Sequence, residues 1–155
     1  MDVKFRENDF EFLLRTSALI YNSSMDKILL FKVEGRQFYL LPGGKVERFD
    51  ESQKSLIREM KEEIGEEFSK IDFNFLALSE EFLKTEDSKF HQINIIYKGI
   101  YTNKIITKFK GLEGDWINFE WVDLKDLDNI NIHPEEIKNV IKNHSDNKHF
   151  ITRVG

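Results

Sequence analysis

The chain has 155 residues, a net charge of −5, no cysteine, 40% hydrophobic and 33% charged residues. That length predicts one domain, 1–155, burying roughly two-thirds of the surface its unfolded chain exposes. Without cysteine there is no disulfide, thiolate zinc site or cysteine nucleophile. The acidic balance, with no Lys/Arg cluster, lacks a nucleic-acid-binding footprint, and no apolar run approaches the roughly 18 residues of a membrane span. The first residues, MDVKFRENDFEF, carry no apolar leader segment, so the expected setting is the cytoplasm.

Taken in order, Phe10–Tyr21 (FEFLLRTSALIY) reads as a first strand, ended by the turn Asn22-Ser23-Ser24. Lys27–Val33 is a second strand. Gln37–Leu41 is a short third one, stopped by Pro42 and the pair Gly43-Gly44. Glu51–Ile64 has helical periodicity, and Ile71–Leu83 reads as a strand returning across the sheet. Lys84–Lys89 is a polar connection, Phe90–Tyr101 a long central strand, and Thr107–Asp115 a loop with Gly111, Glu113 and Gly114. Ile117–Val122 closes the sheet, Asp123–Leu127 makes a helical turn, and Pro134–Asn143 a helix with Pro134 in its first turn. His149–Val154 is a short tail strand. Strands on both sides of one helix, with a second helix near the end, predict an α/β chain whose mixed sheet lies between helices. The 14 Phe residues are read as core volume.

The helix 51–64 splits into two faces. Leu56, Met60 and Ile64 recur every four residues, with Ile57 beside them, and form the packing side. Arg58, Glu59, Glu62 and Glu63 lie elsewhere on the cylinder. Glu59 and Glu63 are one turn apart and Glu62 is three residues from Glu59, so three carboxylates share one patch. Such like-charge spacings cost a lone helix roughly 0.2–0.5 kcal/mol per pair. Arg58, one turn before Glu62, offsets part of this. A hard divalent cation offsets more, because Mg²⁺ accepts one or two carboxylates and keeps room for water and phosphate oxygens. The plain alternative is a solvated acidic face.

The flanks decide between these. Gly44, Asp50, Arg58, Glu59, Glu62, Glu63 and Gly65 fit the pattern Gly–x5–acid–x7–Arg–Glu–x–x–Glu–Glu–x–Gly. This resembles the signature of the Nudix hydrolases, and the likeness is specific between Pro42 and Gly65. Two positions depart from it: Asp50 stands where Glu is usual, and Glu66 where an apolar residue is usual. Asp50 still suits a helix start, and Glu51 offers a carboxylate beside it. Gly65 suits a left-handed helix exit.

The resemblance implies a Nudix-type α/β/α sandwich and a Mg²⁺-dependent hydrolase, with Mn²⁺ as a substitute. The substrate it implies is a small molecule, a nucleoside diphosphate linked to another moiety (a nucleotide sugar, ADP-ribose, a dinucleoside polyphosphate or a nucleoside triphosphate). It carries metal-ligand roles onto Glu59, Glu62 and Glu63, with the Gly43 carbonyl as a further ligand. Arg58 and Asp50 become supports of the motif. The general base comes either from the motif helix, Glu59 or Glu63, or from outside it, where Glu113 is the first choice and Glu120 the second. His91 reads as a structural hydrogen-bonder and His133 as part of the helix entry. No membrane or nucleic-acid partner is expected. A homodimer through the tail strand or the N-terminal segment is compatible with the family. The competing reading is a non-catalytic nucleotide-sensing module of the same fold, and a prenyl-diphosphate isomerase on it lacks the expected cysteine.

Overall fold

The computed structural model describes residues 1–143 and 148–155. Its elements are β1 (Lys4–Glu7), β2 (Phe10–Asn22), β3 (Lys27–Val33), β4 (Tyr39–Leu40), β5 (Gly43–Lys45), α1 (Ser52–Glu63) and α2 (Glu66–Ser69). There follow β6 (Asn74–Lys84), β7 (Lys89–Tyr101), β8 (Lys108–Gly111), β9 (Gly114–Asp123), the 3₁₀ turn Leu124–Asn129, β10 (Ile132–His133), α3 (Ile137–Asn143) and β11 (His149–Val154).

The strands form one mixed sheet in the order β10-β4-β3-β2-β7-β6-β11, with β1 and β5 also on β2, and β9 carrying β8 on the far side of β3. The long strand β7 runs parallel to β2 through thirteen paired positions, Phe10–Lys89 to Asn22–Tyr101, and is central as expected. The tail strand β11 joins β6 in parallel.

Strand alternation assigns the two faces. Ala18, Ile20, Leu29, Phe31, Phe119 and Trp121 point to one side, where Leu56 and Met60 of α1, Ile64 just past its end and Phe68 of α2 cover them. Their neighbours Leu19, Tyr21, Ile28, Leu30 and Val122 point to the other side, beneath Ile137, Val140 and Ile141 of α3. Helices therefore lie on both faces of a mixed sheet, the α/β architecture anticipated. Of the Phe residues read as core volume, Phe31, Phe68, Phe73, Phe109, Phe119 and Phe150 pack within or against this core, with stacked pairs Phe68–Tyr101 (4.2 Å) and Phe109–Phe119 (5.2 Å), whereas Phe5, Phe49 and Phe75 are exposed.

Several local expectations are corrected. Thr107–Asp115 is not a plain loop, because Lys108–Gly111 pairs with β9 as a hairpin whose turn is Leu112-Glu113. Gly43-Gly44 is not only a turn: it begins β5, paired to Ser17 and Thr16. Pro134 stands outside the last helix, after a cis peptide bond to His133, and the helix starts at Ile137. His91 does not make the expected hydrogen bond through Nε2, which is buried without a partner among the described residues, and the ring lies against Phe82 (4.4 Å) and Phe12 (5.4 Å).

One feature of the sheet positions the site. β3 touches β2 in register only at Tyr21–Ile28, whereas the N-terminal half of β2 takes β5 as its neighbour at Arg15–Ser17. The two strands separate, and the segment Leu41–Gly44 passes through the gap.

Candidate active site

α1 forms where the sequence predicts. Burial of Leu56 and Met60, both fully shielded, anchors it to the sheet at roughly 1.5–3 kcal/mol per side chain. Glu51 is its N-cap residue. The Asp50 carboxylate does not cap the helix but accepts the Glu51 N–H (3.0 Å). Gly65 ends the helix with φ of +143°, a conformation open to glycine, and α2 starts at once.

With its apolar face fixed, α1 turns Glu59 and Glu63 toward β5 and the β8–β9 turn. Gly44 is the reason Glu59 fits: a Cβ at that position would lie 2.6 Å from Glu59 Oε2. The hairpin is tied to the helix end by the Leu112 N–H, which donates to the Glu63 carbonyl (2.8 Å). That bond sets the next residue, Glu113, beside the helix. Oxygens of Glu59, Glu63 and Glu113 all lie within 4.8 Å of one another.

Three carboxylates this close perturb one another. Burial first, then the charge of Glu59 and the hydrogen bond shared with it, push Glu63 up to about 8, with Glu113 adding to the effect and Arg15 opposing it. Burial also raises Glu59, as does Glu62, while its bond to Glu63 and the adjacent Arg58 pull the other way.

The other predicted residues fall out as follows. Glu62 is outside the cluster, 52% exposed and 3.8 Å from Arg58 Nε. Arg58 also reaches Glu59 (3.5 Å) and Glu47 (3.8 Å). Glu47, not Asp50, is therefore the carboxylate before the helix that pairs with Arg58. Its own N–H donates to Ser55 Oγ (3.0 Å), which holds the loop against α1. Gly43 sits on β5 opposite Ser17. Glu120 is not brought to the cluster. It is the cross-strand neighbour of Leu30, so it faces the α3 side, where it accepts the Tyr39 hydroxyl (2.9 Å). Its surroundings are a cleft of about 400 Å³ with Lys32, Lys108 and Lys110.

Sequence reasoning missed Glu47 because it lies three residues before the signature acid. It also missed Arg15. Arg15 is the single basic residue of β2, with Leu13 and Leu19 on its own face, and that was the available signal.

The NUDIX domain, as a family, matches residues 12–144, most of the chain. The chain belongs to this family, whose members are the Nudix pyrophosphohydrolases. No curated protein matches the sequence. Among solved structures, the MutT Nudix hydrolase of Burkholderia pseudomallei is 21% identical, with 82% of this chain and 95% of that one covered and a TM-score of 0.61. The Escherichia coli dihydroneopterin triphosphate pyrophosphohydrolase is 12% identical, covering 84% and 92%, with a TM-score of 0.63. The Caenorhabditis elegans Ap4A hydrolase is 17% identical, covering 85% and 94%, at 0.57. At these identities the likeness is one of fold.

Proposed function

We propose that residues 1–155 act as one cytoplasmic, Mg²⁺-dependent Nudix domain that cleaves the diphosphate of a nucleoside diphosphate linked to another moiety. The observation that carries this is the meeting of Glu59, Glu63 and Glu113, from two separate elements, within 4.8 Å.

The donor set fits a hard divalent cation. All three groups offer carboxylate oxygen, the kind Mg²⁺ and Mn²⁺ prefer. Glu63, raised to about 8 chiefly by burial, keeps a proton near neutral pH that a bound cation would displace. Glu59, Glu63 and Glu113 would hold the ion; the family resemblance adds Glu62 and the Gly43 carbonyl to the expected donors, of which Glu62 stands outside the cluster beside Arg58. When bound, Mg²⁺ neutralises diphosphate oxygens and lowers the pKa of a coordinated water.

The chain's own groups do the rest. Arg58, between Glu47, Glu59 and Glu62, keeps the Glu59 carboxylate turned inward. Gly44 leaves that carboxylate its space. Glu113, exposed on the hairpin turn and without a cationic partner among the described residues, takes the proton of the attacking water at a carboxylate oxygen. The folds of relatives named for triphosphate and dinucleoside substrates support the substrate class.

The experiment is a panel of ADP-ribose, dinucleoside polyphosphates, nucleotide sugars and nucleoside triphosphates with Mg²⁺ or Mn²⁺, read as release of phosphate-bearing products. Turnover of at least one compound is expected, falling about a hundredfold or more in Glu59→Gln and Glu63→Gln. Either variant matching the parent refutes the assignment. Tight nucleotide binding without turnover under any metal establishes the sensing module instead.

A further inference from the structure

Two buried side-chain polar atoms lack a hydrogen-bond partner among the described residues, His91 Nε2 and Thr16 Oγ1. The imidazole lies among aromatic rings beside the start of β2. Thr16 is placed differently. It is fully shielded (0% exposed) in the middle of β2, and strand alternation puts its side chain with Ala18 and Ile20 on the face that α1 covers. Its cross-strand neighbours are Ile95 on β7 and Gly44 on β5, and neither carries a polar side-chain atom. A hydroxyl buried without a partner forfeits its bonds to water, whereas valine has the same shape and no such loss. Packing alone therefore gives no reason for threonine here.

The register fixes what that hydroxyl meets. Directly opposite residues on paired strands share a face, with Cβ atoms about 4.5–5.5 Å apart. Gly44, opposite Thr16, has no Cβ, and the Glu59 carboxylate fills the space where one would stand. The Glu59 carboxyl carbon lies 2.4 Å from that point and Oε2 2.6 Å from it. The head of Glu59 thus rests over the Thr16–Gly44 pair, on the same face as the hydroxyl. Its two oxygens have different neighbours. Arg58 Nη2 approaches Oε1 at 3.5 Å, and Oε2 is the oxygen turned to Gly44. A carboxylate oxygen accepts more than one bond, so Oε2 has room for both a ligand and a hydroxyl donor.

We propose that Thr16 is a positioning residue of this site: as Glu59 shifts to meet a cation, the Thr16 hydroxyl donates to Oε2 from the sheet side and holds the carboxylate in its coordinating orientation. This rests on the metal-dependent reading above and deepens it. Carboxylates that ligate a metal are themselves held by hydrogen bonds, and removing such a partner weakens metal binding. Arg58, partly exposed, holds the head of Glu59 from the solvent side. Thr16 holds it from within the sheet, and together they stop rotation about the last bond of the side chain. The rigid strand on which Thr16 stands, paired on both sides, gives the donor a fixed place.

The probe is Mn²⁺ alone, titrated calorimetrically into the full chain, beside chemical denaturation in chelator. Thr16→Val keeps the shape of the side chain and removes the donor. It weakens Mn²⁺ binding about tenfold, while the chelated variant unfolds at the parent's denaturant midpoint or a higher one. Thr16→Ser keeps the donor and stays within about threefold of the parent for Mn²⁺. These opposite signs separate the two roles, because a threonine that only packs moves stability and leaves ion affinity alone. A second measurement needs no variant: the Thr16 hydroxyl proton, assigned through coupling to its own Cβ, moves downfield on saturation with diamagnetic Mg²⁺. The role is overturned by a Thr16→Val protein with the parent's Mn²⁺ affinity, or by one less stable than the parent in chelator. Thr16→Ser as weak as Thr16→Val, or an unmoved hydroxyl proton, overturns it equally. A parent protein that takes up no Mn²⁺ overturns the metal-dependent reading as well, whereas a parent that binds Mn²⁺ no better than Thr16→Val removes Thr16 alone.

Discussion

Gly44 and Glu59 are fifteen positions apart in sequence, yet the first sets the geometry of the second, because the carboxylate occupies the space a side chain at residue 44 would need. Gly44→Ala therefore tests the site without removing any ligand. The added methyl forces Glu59 aside, against the hold of Arg58 (3.5 Å), and out of the cluster. The expected outcome is a loss of about tenfold or more in Mn²⁺ affinity by calorimetry, with circular dichroism unchanged. An alanine variant with the parent's affinity would show that Glu59 is not held against this glycine. Arg58 shows why spacing misleads at this scale. Its partner before the helix is Glu47 (3.8 Å), because the loop folds back through the Glu47 N–H bond to Ser55, and this bends away from Asp50. Sequence spacing names the acid six residues after Gly44, but the fold chooses one three residues after it.

At the scale of elements, α1 is the clearest case of local pattern and tertiary packing agreeing. Leu56, Met60 and Ile64 fall on one stripe and meet Ala18, Ile20 and Trp121 within the same cluster. Leu56→Ala removes a fully buried side chain there and should cost about 2–5 kcal/mol. Chemical denaturation would measure this; a cost below about 1 kcal/mol would mean that the helix is not anchored by that stripe. The same logic explains which elements were legible. β2, β3, β7 and β11 have dense apolar or β-branched runs bounded by turn residues. β8, with sequence KFKG, has one apolar residue facing the core, Phe109, and two exposed lysines, so it reads as loop. β1, with KFRE fully exposed, carries no burial signal at all. Both are made strands by their partners, β9 and β2. The helix-borne carboxylates could be placed from spacing alone. Their meeting with Glu113 depended on the register of a hairpin that the sequence did not announce.

For the whole molecule, the clustered acids tie stability to pH. Glu63 has its folded-state pKa raised to about 8, above its ordinary value of 4.5. The folded protein thus binds more protons than the unfolded chain between those two values, so the derivative of unfolding free energy with pH is negative there. Metal-free protein should be most stable at the acid end of this window, other groups being equal, and lose stability as pH rises through about 8. Melting temperatures at successive pH values, with and without Mn²⁺, check this. The expected result is a fall with pH in chelator and a rescue by Mn²⁺ that grows with pH, because binding requires the proton to leave. A flat metal-free profile between pH 5 and 9 would contradict the coupling.

The origin of those ligands has a mechanical meaning as well. Glu63 ends a helix and Glu113 sits on a hairpin turn, so an ion gripped by both would staple the backbone into a closed loop of about fifty residues, restricting the denatured chain much as a covalent bridge does. This chain has no sulfur bridge to lose. A chelator would act on it as a reductant acts on a disulfide-bonded protein.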